Sequence, residues 1–276
     1  MAWGRHGPIE DARPALMVAL GLLFTALAQP CIVFLNDLHD AEGDALHDAP
    51  THFSGGSRVL VERRMSARTL RRGLHVCAGV FIMSSVLMAY LVQRPWVLMF
   101  AALTLTLSWL YSAPPVRGTS TRVGPWLQAT GTGLVLPLLG GYLLTGRLDG
   151  LAWGGMVAMF LLGAANHILT TLPDRVADLR ADKHTYATRH GAVASRRHLI
   201  QMVLAVAVMS PWVLAFQHPY ASVFIIGACV GLSIPALTML RRDNLEDRGP
   251  TYAFIILMGL SIQLIMIGWA AASLRG

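Results

Sequence analysis

Asn36-Asp37-Leu38-His39-Asp40-Ala41-Glu42-Gly43-Asp44 is the stretch of this chain best suited to chemistry. If the helix entering it continues, Asp37, Asp40 and Asp44 stand at i, i+3 and i+7 and share a face. Carboxylates so close repel one another and call for a cation. Hard oxygen ligands of this kind suit Mg²⁺, above all where substrate phosphates complete its shell. A second acidic stretch follows far along the chain: Asp174, Asp178 and Asp182, at i, i+4 and i+8. Asn166 and Thr170 carry the same four-residue spacing upstream, with Pro173 in between to bend the alignment. Lys183, the chain's single lysine, comes directly after. Arginine serves at every other basic position, and a compact ammonium meets a phosphate as a point charge.

These residues must be held by membrane helices. Of 276 residues, 54% are hydrophobic and 13% charged, and the mean hydropathy is +0.53. That is a membrane composition. Eight apolar runs are predicted to be transmembrane helices, at about 14–36, 74–92, 96–112, 126–145, 151–172, 199–216, 219–240 and 251–273. The runs lack strict alternation, so an all-α polytopic bundle is expected rather than a barrel. The whole of 1–276 reads as one domain, with 1–13 an exposed N-terminal tail. The first run is expected to be a retained helix, although Ala26-Leu27-Ala28 resembles a cleavage triplet.

The formal charge of +7 does not indicate nucleic acid. Loops 37–73, 113–125, 173–198 and 241–250 hold 17 of the 22 Arg and Lys residues, which places them on the cytoplasmic side by the positive-inside rule. Four predicted crossings separate the acidic stretches, so both lie on that side. Cys31, Cys77 and Cys229 fall in apolar runs and read as small buried hydrophobes. His39, His47 and His52 match no familiar zinc spacing, and loop histidines are commonly solvated. Pro30 is expected to kink the first helix. Gly55-Gly56-Ser57-Arg58 permits tight backbone geometry that can expose N–H groups to an anion. The glycines of the fourth run, among them Gly131, Gly133 and Gly140, read as helix-packing positions.

The two motifs, N-D-x-x-D-x-x-x-D and D-x-x-x-D-x-x-x-D with Lys183-x-Thr185 and Arg189-His190-Gly191, resemble those of the UbiA superfamily of intramembrane prenyltransferases. Tyr111-Ser112-x-Pro114-Pro115-x-Arg117 supports the resemblance. The loop Phe53-Ser54-Gly55-Gly56-Ser57-Arg58-Val59-Leu60 is similar to the branch that prenylates dihydroxynaphthoate. Membership implies an all-helical bundle around a central cavity, two Mg²⁺ ions and a polyprenyl diphosphate. Carried over by position, Asp37, Asp40 and Asp44 would hold one ion, and Asp174 and Asp178, with Asp182, the other. Asn36 would orient the diphosphate or a ligand. Arg58, Arg117 and Lys183 would neutralise its charge, Tyr111 would donate a hydrogen bond, and Asn166 would line the substrate site. The family usually has one complete helix before the one ending in N-D-x-x-D. Here 35 residues precede Asn36, enough for one crossing. Either that first helix is lacking or the chain's start is misplaced.

The implied chemistry is ionisation of a diphosphate whose negative charge is neutralised as the C–O bond breaks. The allylic cation must be kept from water until a nucleophile takes it, and a lipid-embedded apolar site does so. Three outcomes are open at this level: transfer to an electron-rich aromatic acceptor such as a quinone precursor, cyclisation by an internal alkene, and, from another class, divalent-cation transport. The lipid bilayer, a prenyl diphosphate and a small aromatic are the expected partners.

Overall fold

The computed structural model describes residues 14–47, 56–148, 153–240 and 248–273. The expected tail 1–13, His52, Gly55 and most of the loop 241–250 lie outside the described residues. Every regular element among those described is helical.

The described chain divides into two compact units. The first contains α1 (Pro14–Ala45), α2 (Ala67–Leu91), α3 (Trp96–Ser112) and α5 (Leu136–Thr145). Helix α1 starts at Pro14, where a missing N–H costs nothing, and stays helical through Pro30 to Ala45. It therefore carries Asp37, Asp40 and Asp44 on one continuous helix, as their spacing predicts. Its core face is Met17, Phe24, Ala28, Cys31 and Leu35, all buried. Phe24 meets Phe81 of α2 edge to face, with ring centroids 4.8 Å apart. Helix α2 shows the two-faced pattern of a lipid-facing span. Phe81, Ser85 and Met88 are buried, while Val76, Val80, Met83 and Leu87 form an exposed apolar stripe. In α3 the inward positions Thr104 and Ser108 return their hydroxyls to carbonyls four residues back. Helix α5 ends at Gly146 in the left-handed region, where the Arg94 guanidinium occupies the space a side chain would need.

The second unit contains α4 (Gly124–Ala129), α6 (Trp153–Thr171), α7 (Arg175–Arg180), α8 (Tyr186–Val208), α9 (Ser210–Val213), α10 (Pro219–Thr238) and α11 (Arg248–Ser273). A π-helical stretch, Thr130–Val135, follows α4. Packing glycine is needed at Gly133, where a Cβ would overlap the Met159 carbonyl of α6. Gly163 of α6 answers it, its own Cβ position lying 3.0 Å from Ala129 Cα. Gly131 and Gly140 have nothing within 4 Å, so the packing role expected for all the glycines holds only where helices touch. The core joins Ile168, Leu199, Val203, Ile225, Met258 and Ile265 from four helices. Arg196, 5% exposed, ties α8 to its neighbours. It donates to the Met239 carbonyl (3.3 Å) and Thr251 Oγ1 (3.4 Å), with Phe254 beneath its guanidinium.

All eight predicted runs contain helix, but six helices among the described residues are long and apolar enough to cross a bilayer. Trp96–Ser112 is shorter, at 17 residues. The expected run 199–216 is instead split, because α8 begins thirteen residues earlier at polar Tyr186, breaks at Met209, and α9 ends before Ala215 and Phe216, both at positive φ. The count of eight spans is therefore not reached by these criteria. Cys31 and Cys229 are buried and Cys77 half-buried, all as free thiols.

Candidate active site

In the first unit the acidic end of α1 gathers side chains from three segments. Asp37 and Asp40 are each 7% exposed. Burying a carboxylate is costly unless hydrogen bonds replace its water. Asp37 accepts one from Ser57 Oγ at 2.7 Å. Arg58 reaches the Asp44 carbonyl with Nη1 at 2.6 Å, satisfying one of the acceptors a helix end leaves open, and its Nε lies 3.4 Å from Glu62. Arg117, after the cis Pro114-Pro115 bond, donates Nη2 to the His39 carbonyl at 2.8 Å. Ser112, the residue after Tyr111, donates to Asn36 Oδ1 at 3.4 Å. Asn36, Asp37, Asp40, Asp44, Arg58 and Arg117 are thus brought to one helix end, and Tyr111 adjoins it in sequence through Ser112.

In the second unit the acidic stretch is not one ladder. Helix α6 ends at Thr171, a 3₁₀ turn covers Leu172–Asp174, and α7 runs for six residues. Pro173 sits in that turn, so Asn166, Thr170, Asp174 and Asp178 do not continue along a single α-helix. Asn166 and Thr170 are exposed, whereas Asp178 is 7% exposed. Asp182 lies beyond the end of α7 at φ +52° and is exposed. Lys183 folds back: its Nζ is 3.7 Å from Asp178 Oδ1 and its amide donates to the Asp178 carbonyl at 2.9 Å. Its own carbonyl accepts from Thr188 Oγ1. Asp174 Oδ1 lies 3.4 Å from His47 Nε2, a histidine that the sequence pattern assigns to a solvated loop.

Ser57 and His47, which the sequence reading names without assigning them to the aspartates, each contact one of the carboxylates. For Ser57 a signal existed, its place between a glycine pair and Arg58. For His47 there was none, since only the tertiary contact distinguishes it from other loop histidines.

Farther along, Tyr186 Oη and His198 Nδ1 are 2.7 Å apart, and the His190 and His198 ring centroids 5.6 Å apart. Burial raises the Tyr186 phenol above its ordinary pKa. Burial first, then the charges of His190 and Arg197, lower that of His198.

Among the described residues no three His, Cys, Asp or Glu side chains converge closely enough to hold an ion unaided. The buried donors Asp37, Asp40 and Asp178 are all carboxylates. That donor set fits Mg²⁺, which takes one or two carboxylates and fills its octahedron with waters and substrate phosphates.

The profile of the UbiA prenyltransferase family matches residues 1–259. A 1,4-dihydroxy-2-naphthoate octaprenyltransferase of Mycobacterium tuberculosis (strain ATCC 25618 / H37Rv) is 26% identical over 211 residues, covering 76% of this chain and 71% of the relative. A UbiA homolog from Archaeoglobus fulgidus, solved bound to DMAPP and Mg²⁺, superposes with a TM-score of 0.67 at 18% identity, covering 92% of this chain and 88% of the other. The same homolog bound to GPP and Mg²⁺ gives a TM-score of 0.65 at 17% identity over the same shares. These structures share the fold.

Proposed function

Because this chain belongs to the UbiA prenyltransferase family and is an integral multi-pass membrane protein, we propose that it transfers a prenyl group from a polyprenyl diphosphate to an aromatic quinone precursor. The likeness to a dihydroxynaphthoate octaprenyltransferase supports an electron-rich naphthoate-type acceptor. The placement of arginines supports a cytoplasmic position for the acidic helix ends.

One observation carries the reading. Arg117, from the loop after α3, donates to the His39 carbonyl inside the acidic stretch of α1. A permanent positive charge is thus held at the same helix end as Asp37 and Asp40. Carboxylates and a guanidinium at one helix end suit a metal–diphosphate, which presents both a cation and phosphate oxygens.

Asp37, Asp40 and Asp44 would hold one Mg²⁺, and Asp174 and Asp178, with Asp182, a second. Bound Mg²⁺ supplies the charge neutralisation that makes diphosphate a leaving group. Arg58, Arg117 and Lys183 bind the phosphate oxygens, Asn36 and Tyr111 orient them, and Asn166 lines the substrate site. The apolar helices keep water from the allylic fragment.

The test is mass spectrometry of products from the purified full chain given Mg²⁺, prenyl diphosphates of several lengths, and dihydroxynaphthoate beside a panel of phenols. A prenylated aromatic, lost with EDTA and regained with Mg²⁺, is expected. Asp40→Ala, inserted normally, should yield none. Cyclic hydrocarbon formed without any acceptor would instead identify a cyclase, and metal-dependent ion flux without product a transporter.

A further inference from the structure

The stretch Gly56-Ser57-Arg58 lies against the acidic end of α1 through all three residues. Gly56 has φ +64°, and a Cβ there would overlap the Asp44 carboxylate, so its bare backbone rests on that group. Arg58, at φ +57°, holds the Asp44 carbonyl. With both flanking residues in the left-handed region, the residue between them is delivered to Asp37, twenty positions away in sequence.

The hydroxyl of Ser57 has its two roles assigned. It accepts the Val59 N–H at 3.4 Å, so its own proton is directed to Asp37 Oδ2 at 2.7 Å. A carboxylate turns freely about its last bond unless something fixes its plane. Fixing Oδ2 leaves Oδ1 as the oxygen that meets a cation, in a set orientation.

We propose that Ser57 is a positioning residue for the metal held by the first acidic stretch, acting through Asp37. The proposal rests on the metal–diphosphate reading above. A hydrogen-bond partner of a ligating carboxylate sets affinity without touching the ion, and its loss costs on the order of tenfold to a hundredfold. Ser57 is itself exposed, so removing its hydroxyl leaves no hole in the core.

The experiment is Mn²⁺ titration by electron paramagnetic resonance on the full chain in detergent. An Asp178→Ala background leaves the first stretch to bind the ion. Ser57→Ala should weaken Mn²⁺ binding about tenfold. Ser57→Thr, which keeps the hydroxyl, should bind like the parent, and both should melt at the parent's temperature. Unchanged affinity in Ser57→Ala, while Asp40→Ala abolishes binding, would overturn the role of Ser57 and leave the metal reading standing. Equal weakening in Ser57→Thr would also overturn it. A parent that takes up no Mn²⁺, or an Asp40→Ala variant that binds as well as the parent, would bring down both.

Discussion

Lys183 and Asp178 are joined twice, by a backbone hydrogen bond of 2.9 Å and by a side-chain approach of 3.7 Å between Nζ and Oδ1. The turn that ends α7 thus returns the chain's one lysine to Asp178, the buried aspartate of the second acidic stretch. The side chains are 13% and 10% exposed, so the pair is mostly shielded from water.

Removing that ammonium should show in substrate affinity. Lys183→Ala is expected to raise KM for the prenyl diphosphate about tenfold to a hundredfold, the worth of a charge-assisted hydrogen bond. Lys183→Arg should recover only part, because a planar fork does not replace a compact point charge. Steady-state kinetics at fixed acceptor concentration will decide it, and an unchanged KM in the alanine variant would remove Lys183 from the site.

The second stretch should not behave as three equal rungs. Asp178→Asn is expected to cost roughly a hundredfold or more in turnover. Asp182→Asn, at an exposed position past the helix, should cost much less. Equal losses at the two positions would contradict this ranking, and parallel assays of the two purified variants make the comparison.

Helix contact in the second unit depends on Gly133 more than on its neighbours. Gly133→Ala forces a methyl into the Met159 carbonyl and should destabilise by about 1–3 kcal/mol. Gly140→Ala has open space and should melt like the parent. Thermal unfolding in detergent distinguishes them.

Stability should fall on the acid side through His198. Burial and its positive neighbours hold its pKa below the ordinary value, so the folded chain resists taking up a proton that the unfolded chain accepts. The contribution is present above about pH 6.5 and is lost as pH drops from there through the folded-state pKa. His198→Gln should flatten the loss of melting temperature between about pH 7.5 and 5.5. An unaltered pH profile would mean that other groups set it.

Helices and acidic stretches were legible in the sequence because both are short-range patterns. Apolar runs of a membrane's length read directly as helices, and Asp37, Asp40 and Asp44 share a face through the helical repeat alone. The local repeat reads less far where the chain leaves it. Pro173 bends the alignment with Asn166 and Thr170, as its place in the sequence predicts, into a 3₁₀ turn and a short helix, and Asp182, itself at positive φ, lies past the end of that helix. The partners of the carboxylates were a matter for the tertiary structure. Ser57 on Asp37 and His47 on Asp174 are pairs 20 and 127 residues apart, made by loop closure and packing that no local periodicity encodes. Composition and repeat therefore pointed to which residues could carry the chemistry, while the folded chain decided which neighbours hold each of them in place.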